Sequence, residues 1–119
     1  MDLTQLQQFL LPAAILALLA WRFFRFRRVR ALLPRLFKEG AILIDVRTAA
    51  EFASGHAENS INIPLDELDS KITQLDPKKT IIVCCASGTR SAVAAALLKR
   101  QGFTNVLNVG PWRNAASKP

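Results

Sequence analysis

Two cysteines and one histidine are all that this 119-residue chain holds of the side chains most used for sulfur and zinc chemistry. Two cysteines exclude a disulfide scaffold. One histidine excludes the usual multi-histidine zinc sites and makes a Ser-His-Asp triad a poor fit. Glycine and proline number only 5 and 6, too few for a collagen-like fibre, and half the residues are apolar, which argues against wholesale disorder. No internal repeat or low-complexity tract is visible. Acids are scarce too, nine against sixteen Lys and Arg, for a formal net charge of +7. The length suits one domain.

A charge of +7 invites a nucleic-acid partner, so its distribution matters. Residues 1–40 hold seven bases and two acids, or +5; residues 41–119 hold nine bases and seven acids, or +2. Basicity is therefore a local run, Arg22 to Arg30 (RFFRFRRVR), with Arg35 and Lys38 beyond it. It directly follows nineteen uncharged residues, Leu3–Trp21, of which Phe9–Trp21 is nearly all apolar. As a helix, nineteen residues span about 28 Å, close to the hydrocarbon thickness of a bilayer. Trp21, Phe23, Phe24 and Phe26 interleave with arginines, which suits the headgroup level. Pro12 is expected in about the second turn, where it does least harm.

A cleaved signal peptide needs positive charge before its apolar run, and here only Asp2 precedes it. The bases follow, so the positive-inside rule puts the N-terminus outside and the rest in the cytoplasm; in a bacterium the membrane is the inner one. A helix lying on the surface and a buried core helix are the alternatives. Anionic lipid accounts for the basic run, and no nucleic-acid partner is expected. Residues 1–28 are thus expected as transmembrane anchor and basic connector, and 29–119 as the soluble domain.

Ala31–Glu39 reads as a short helix starting near Leu33, with Pro34 in its first turn and Gly40 at its end. Ala41–Asp45 (AILID), Ser60–Ile63, Thr80–Cys84 and Asn105–Val109 read as short strands. Thr48-Ala-Ala-Glu51 is a capping box opening a short helix. Leu65, Leu68, Ile72 and Leu75 share one helical face, and Ser91–Arg100 is a helix rich in small residues. Strands alternating with helices predict a small parallel α/β sheet covered on both faces. Ligands then bind at the carboxyl ends of the strands, where Asp45 and Cys84-Cys85 lie.

The chemistry is expected in the loop between the third strand and the small-residue helix, Cys84-Cys85-Ala86-Ser87-Gly88-Thr89-Arg90-Ser91. Backbone N–H groups of a tight loop form an anion nest, the helix N-terminus adds partial positive charge, and Arg90 adds a full one. All three favour a thiolate, so Cys85 is the candidate nucleophile and its pKa should fall. Cys84, still within the strand, reads as a small buried hydrophobe. His56 allows a Cys-His pair; the plainer reading is a helix-exit histidine bonded to backbone. Asp45 and Arg47 either face the pocket or brace neighbouring loops. Phe103 reads as core and Trp112 as a cap on it.

These residues resemble the rhodanese homology domain in its small single-domain form. Cys85-Ala86-Ser87-Gly88-Thr89-Arg90-Ser91 is similar to the family's C-x-S-G-x-R-S active loop. Leu43–Arg47 resembles its L-I-D-V-R signature, Glu51-Phe52 with Gly55-His56 its E-F…G-H segment, and Asn62–Leu65 its N-I-P-L. Gly110 and Trp112 look like a reduced G-G…W element. Where the family usually has I-x-G-A, this chain has Ala57-Glu58-Asn59-Ser60, and the family's opening strand is indistinct. The resemblance covers roughly residues 30–115. It implies a parallel sheet of about four or five strands and sulfur transfer without a cofactor or metal. An anionic donor such as thiosulfate gives its outer sulfur to Cys85 as a persulfide, and a thiol or cyanide accepts it. Ala86, Ser87, Gly88, Thr89 and Arg90 would hold the anion and the persulfide, with Asp45, Arg47 and Ser91 in support.

Two other readings remain. Counted from Cys84, the loop is C-x5-R-S, the spacing of a cysteine phosphatase or arsenate reductase, although no general acid is evident. A persulfide relay or partner-docking module at the membrane, with little turnover, is the other, since fold does not settle function.

Overall fold

The computed structural model describes residues 2–116. Helix α1 runs unbroken from Leu3 to Lys38, 36 residues. Its start is fixed by a capping box: Asp2 accepts from the Gln5 N–H at 2.8 Å, and the Gln5 side chain accepts from the Asp2 N–H at 3.1 Å. The helix expected to begin near Leu33 is therefore the tail of a longer one. Pro34 lies in its interior and Pro12 in its third turn, each removing a helix hydrogen bond. What sustains the helix across Pro34 is tertiary: Val29 and Leu33 before it, four residues apart on one face, are buried against the sheet, and Leu36 after it packs on the same layer.

Four parallel strands follow, β1 (Ile42–Asp45), β2 (Ser60–Asn62), β3 (Ile81–Cys85) and β4 (Val106–Pro111), in the order β2-β1-β3-β4. Helices α2 (Ala49–Ala53), α3 (Leu65–Lys71) and α4 (Thr89–Arg100) connect them, with short 3-10 turns at Ile72–Gln74 and Trp112–Asn114. The family's opening strand, indistinct in the sequence, is absent among the described residues; α1 occupies that stretch of chain. The sheet separates two apolar layers. Ile44, Ile81, Val83 and Cys85 face α3 and α4 with Leu68, Ala94 and Leu98. Leu43, Ile82 and Cys84 face α1 with Val29 and Leu33. Alternate residues of one strand go to opposite layers because side chains on a strand have period two.

The first two-thirds of α1 touches neither layer. Phe9, Leu11 and Leu16 are 65%, 67% and 66% exposed. The helix is long and apolar enough to cross a membrane, with a mean hydropathy of 1.7 over its best 18 residues. It descends past the carboxyl ends of the strands before packing on their sides, because Phe26 meets Gly110 at the end of β4 while Val29 and Leu33 meet the sheet behind it.

Only the last third of α1 thus belongs to the core. Leu33→Ala should lower the stability of the full chain in mild detergent by about 2–4 kcal/mol, a large-to-small core change. Leu16→Ala should stay within about 0.5 kcal/mol, as substitutions outside packed cores do. Urea titration followed by tryptophan fluorescence checks both, and equal effects would contradict the division.

Candidate active site

β3 ends on Cys85, one residue later than expected, and α4 begins at Thr89, two residues earlier. Only Ala86, Ser87 and Gly88 lie between, so the strand turns into the helix within three residues. Gly88 makes this turn at φ +105° as the N-cap of α4, a conformation that L side chains rarely adopt. Its N–H then points back and donates to Cys85 Sγ at 2.9 Å. Ser91, in the first turn of α4, places Oγ 3.4 Å from Sγ, 3.1 Å from the Gly88 carbonyl and 2.7 Å from Asn108 Oδ1. A hydroxyl has one proton and free rotation, so Ser91 can bond Asn108 beside a neutral thiol and turn to a thiolate.

Cys85 is fully buried. Burial opposes its ionisation, and donors outweigh it: the Ser91 hydroxyl and the backbone N–H groups of Ser91, Gly88 and Ser87. The net result is a thiol pKa below its ordinary value. Cys84 is also fully buried, but on the opposite side of the sheet among Val29, Leu33 and Ile82. There burial pushes its thiol far up, with Asp45 adding in the same direction. The strand's alternation thus gives the loop one sulfur and the α1 layer the other.

Arg90 is held in an ion pair. Its Nη1 and Nη2 donate to Glu51 Oε1 and Oε2 at 2.7 and 2.9 Å, a bidentate pair. Glu51 Oε1 also accepts from the Thr48 N–H and hydroxyl, and Thr48 Oγ1 accepts from the Glu51 N–H. The expected capping box is present, and the same carboxylate ties α2 to the loop. Arg90, and then Thr48, hold the Glu51 carboxyl down at about 2, although both side chains of the pair are about one-third exposed.

Asp45 and Arg47 make no bond to the loop. The Arg47 Nε and Nη2 donate to the buried Asp45 carboxylate at 2.8–3.0 Å, and Arg47 also reaches the carbonyls of Glu51 and Gly55. Asn62 Nδ2 donates to the carbonyls of Asp45 and Arg47. This network braces the two loops beside β1. Trp112 is partly buried against the α1 layer, with Arg47 at 4.9 Å and Arg113 at 4.7 Å from its ring centre. His56 is exposed, stacked on Phe52 at 3.7 Å, with Nδ1 2.8 Å from the Phe52 carbonyl, the helix-exit role and not a Cys-His pair. Asn59 adopts φ +63° where the family pattern has glycine, which asparagine tolerates. Phe103 is core.

Two contributors, Asn108 and Arg22, escaped the sequence reading, and Gly110, named there only as part of the G-G…W element, has a role the sequence did not show. Asn108 Oδ1 accepts from both Ser91 and the Gly110 N–H (2.8 Å), at a bulge where β4 slips against Val83-Cys84. A polar side chain inside the apolar run NVLNV was its signal. Gly110 sits at φ +76°, and a Cβ there would lie 2.7 Å from the Phe26 ring. Arg22 Nη2 donates to the Ser87 carbonyl at 3.4 Å, across 65 residues of chain that carry no hint of the pairing. Among the described residues no group of three or more His, Cys, Asp or Glu is placed to hold a metal ion.

The thiolate absorbance of Cys85, titrated from pH 5 to 10, should have its midpoint below that of a free cysteine. Ser91→Ala removes a donor to the thiolate and should move the midpoint up; an unchanged midpoint would remove Ser91 from the account.

The profile of the family described as the Rhodanese-like domain matches residues 29–110. A thiosulfate sulfurtransferase, GlpE of Pseudomonas savastanoi pv. phaseolicola (strain 1448A / Race 6), is 38% identical over 74 residues, 62% of this chain and 70% of that protein. YrkF of Bacillus subtilis (strain 168), provisionally named a sulfur carrier protein, is 37% identical over 73 residues. That match covers 61% of this chain but only 40% of YrkF. The solved structure of a rhodanese with anions from E. coli superposes with a TM-score of 0.62 at 33% identity, over 66% of this chain and 95% of that one. With the parallel sheet, the Cys85–Ser91 loop and the profile match in agreement, the chain belongs to the rhodanese-like domain family.

Proposed function

We propose that the protein is a membrane-anchored sulfurtransferase that carries sulfur as a persulfide on Cys85. The observation that carries this reading is the bond from the Gly88 N–H to Cys85 Sγ at the head of α4. It supplies a stabilised thiolate at the carboxyl end of the central strand, with no general base required. The Cys85 thiolate attacks the outer sulfur of thiosulfate. The donor's S–S bond breaks, and sulfite leaves with its electron pair. The new persulfide carries the negative charge, which the N–H groups of Ser87, Gly88 and Ser91 are disposed to share. A thiolate or cyanide then attacks the outer sulfur of the persulfide and restores the Cys85 thiolate. The name of GlpE supports thiosulfate as donor. The provisional name of YrkF favours delivery to a protein acceptor, which uses the same persulfide and differs only in the second step.

The loop counted from Cys84 receives no support. That thiol faces α1, buried in an apolar layer that disfavours its charge. Anchoring rests on the uncharged segment Leu3–Trp21, unpartnered in the fold, and on the arginines after it. The same arginines orient the chain with its N-terminus outside and the α/β domain in the cytoplasm.

In the full chain in mild detergent, Cys85→Ser should abolish thiosulfate-to-cyanide sulfur transfer, a loss of about a hundredfold or more. Cys84→Ala should retain most of it. Aryl-phosphate hydrolysis lost with Cys84 instead would restore the phosphatase reading. For topology, alkaline phosphatase fused to the C-terminus, active only outside the cytoplasm, should stay silent while a fused green fluorescent protein lights up. The reverse pattern would invert the proposed orientation.

A further inference from the structure

An anionic donor needs a cation, and the loop's own arginine is committed. Both terminal nitrogens of Arg90 are held by the two oxygens of Glu51. A second guanidinium reaches the same loop from outside the domain. Arg22, on α1, donates from Nη2 to the Ser87 carbonyl at 3.4 Å. The same nitrogen lies 3.8 Å from where a Cβ on Gly88 would be, and Gly88 is the residue whose N–H meets Cys85 Sγ. Among the described residues no carboxylate forms an ion pair with Arg22.

Its position is set by packing. Arg22, Phe26, Val29 and Leu33 follow at spacings of four, three and four, so they share one face of α1. Val29 and Leu33 are buried in the sheet layer, and Phe26 abuts Gly110. Three anchors fix the helix in rotation and height, and the next position along that face is Arg22. A guanidinium has five N–H donors in a planar fork, and the Ser87 carbonyl takes one. The others remain for a ligand beside Ala86, Ser87 and Thr89, which are exposed.

We infer that Arg22 is a substrate-binding residue of this site: its guanidinium holds the sulfonate end of a thiosulfate-class donor over the Cys85 loop. The inference rests on the sulfur-transfer reading for its substrate and on the geometry alone for the cation at the site. Held there, the donor presents its outer sulfur toward Cys85. When the S–S bond breaks, the leaving sulfite keeps the electron pair beside the same positive charge. Arg22 stays protonated throughout and exchanges no proton. Planar bidentate recognition of such an oxyanion is what arginine does better than lysine.

The test reads the charge at Cys85 separately from turnover. In the full chain in a neutral detergent, Cys85 is alkylated with iodoacetate, an anion, and with iodoacetamide, its neutral analogue, with the modified residue identified by mass spectrometry. Arg22→Gln should lower the iodoacetate-to-iodoacetamide rate ratio by about threefold or more, the effect of one nearby charge at low salt. It should raise KM for thiosulfate by about three- to tenfold with kcat within about twofold, as expected for lost ground-state binding. Arg22→Lys should restore part of both. Arg28→Gln, which removes the same charge from another face of α1, should change neither. A ratio unchanged in Arg22→Gln, or lowered equally by Arg28→Gln, would overturn the inference. A lowered ratio in a protein whose parent transfers no sulfur would sink the proposed activity and leave Arg22 at the site.

Discussion

The two-residue period of a fully buried central strand is the constraint from which this site follows. β3 is covered on both faces, so each of its side chains must enter one apolar layer or the other. Adjacent cysteines are thereby sent to opposite environments. One is sealed among aliphatic side chains and kept neutral. The other, last in the strand, meets the N–H groups of a chain already turning into α4. A slip of one residue in β3 would exchange the two sulfurs, and pairing on both edges, with β1 and β4, prevents it.

Around that strand the polar groups act as brackets. The Asp45–Arg47 pair is buried, and such pairs are weak sources of net stability because desolvation offsets their attraction. Its value here is geometric: one guanidinium fixes the carbonyl of Glu51 within α2 and that of Gly55 just beyond it, and Asn62 fixes the loop after β1. Glu51 extends the same logic, because the carboxylate that caps α2 also holds the first turn of α4 through Arg90. The loop that cradles Cys85 is thus positioned from α2, from α4 and, through Asn108 and Ser91, from β4.

Much of this was legible in the sequence because its causes are local. Strand runs, the capping box at Thr48 and the stop after Lys38 are each written within a few residues, and the four parallel strands formed where apolar runs predicted them. The loop cysteine reads as Cys85 from its place after the strand and its resemblance to the family's C-x-S-G-x-R-S loop, while spacing to Arg90 alone also admits Cys84. What escaped was non-local. Pro34 read as a helix start, since nothing nearby shows that Val29 and Leu33 pack on a sheet formed later in the chain. The partner of Arg90 lies 39 residues away, and its carboxylate already had a local role as a cap. The bulge at Val109 depends on the Asn108 side chain replacing a backbone partner for Gly110, a choice made by tertiary contact.

The unbroken course of α1 has a mechanical meaning. A flexible connector would let the α/β domain tumble on a tether. A single helix about 54 Å long, clamped to the sheet at one end, acts instead as a drive shaft. Each residue added between Trp21 and Arg22 would turn the domain through about 100° and shift it by about 1.5 Å relative to the apolar segment. The azimuth at which the Cys85 loop meets its surroundings is therefore written as a residue count in α1.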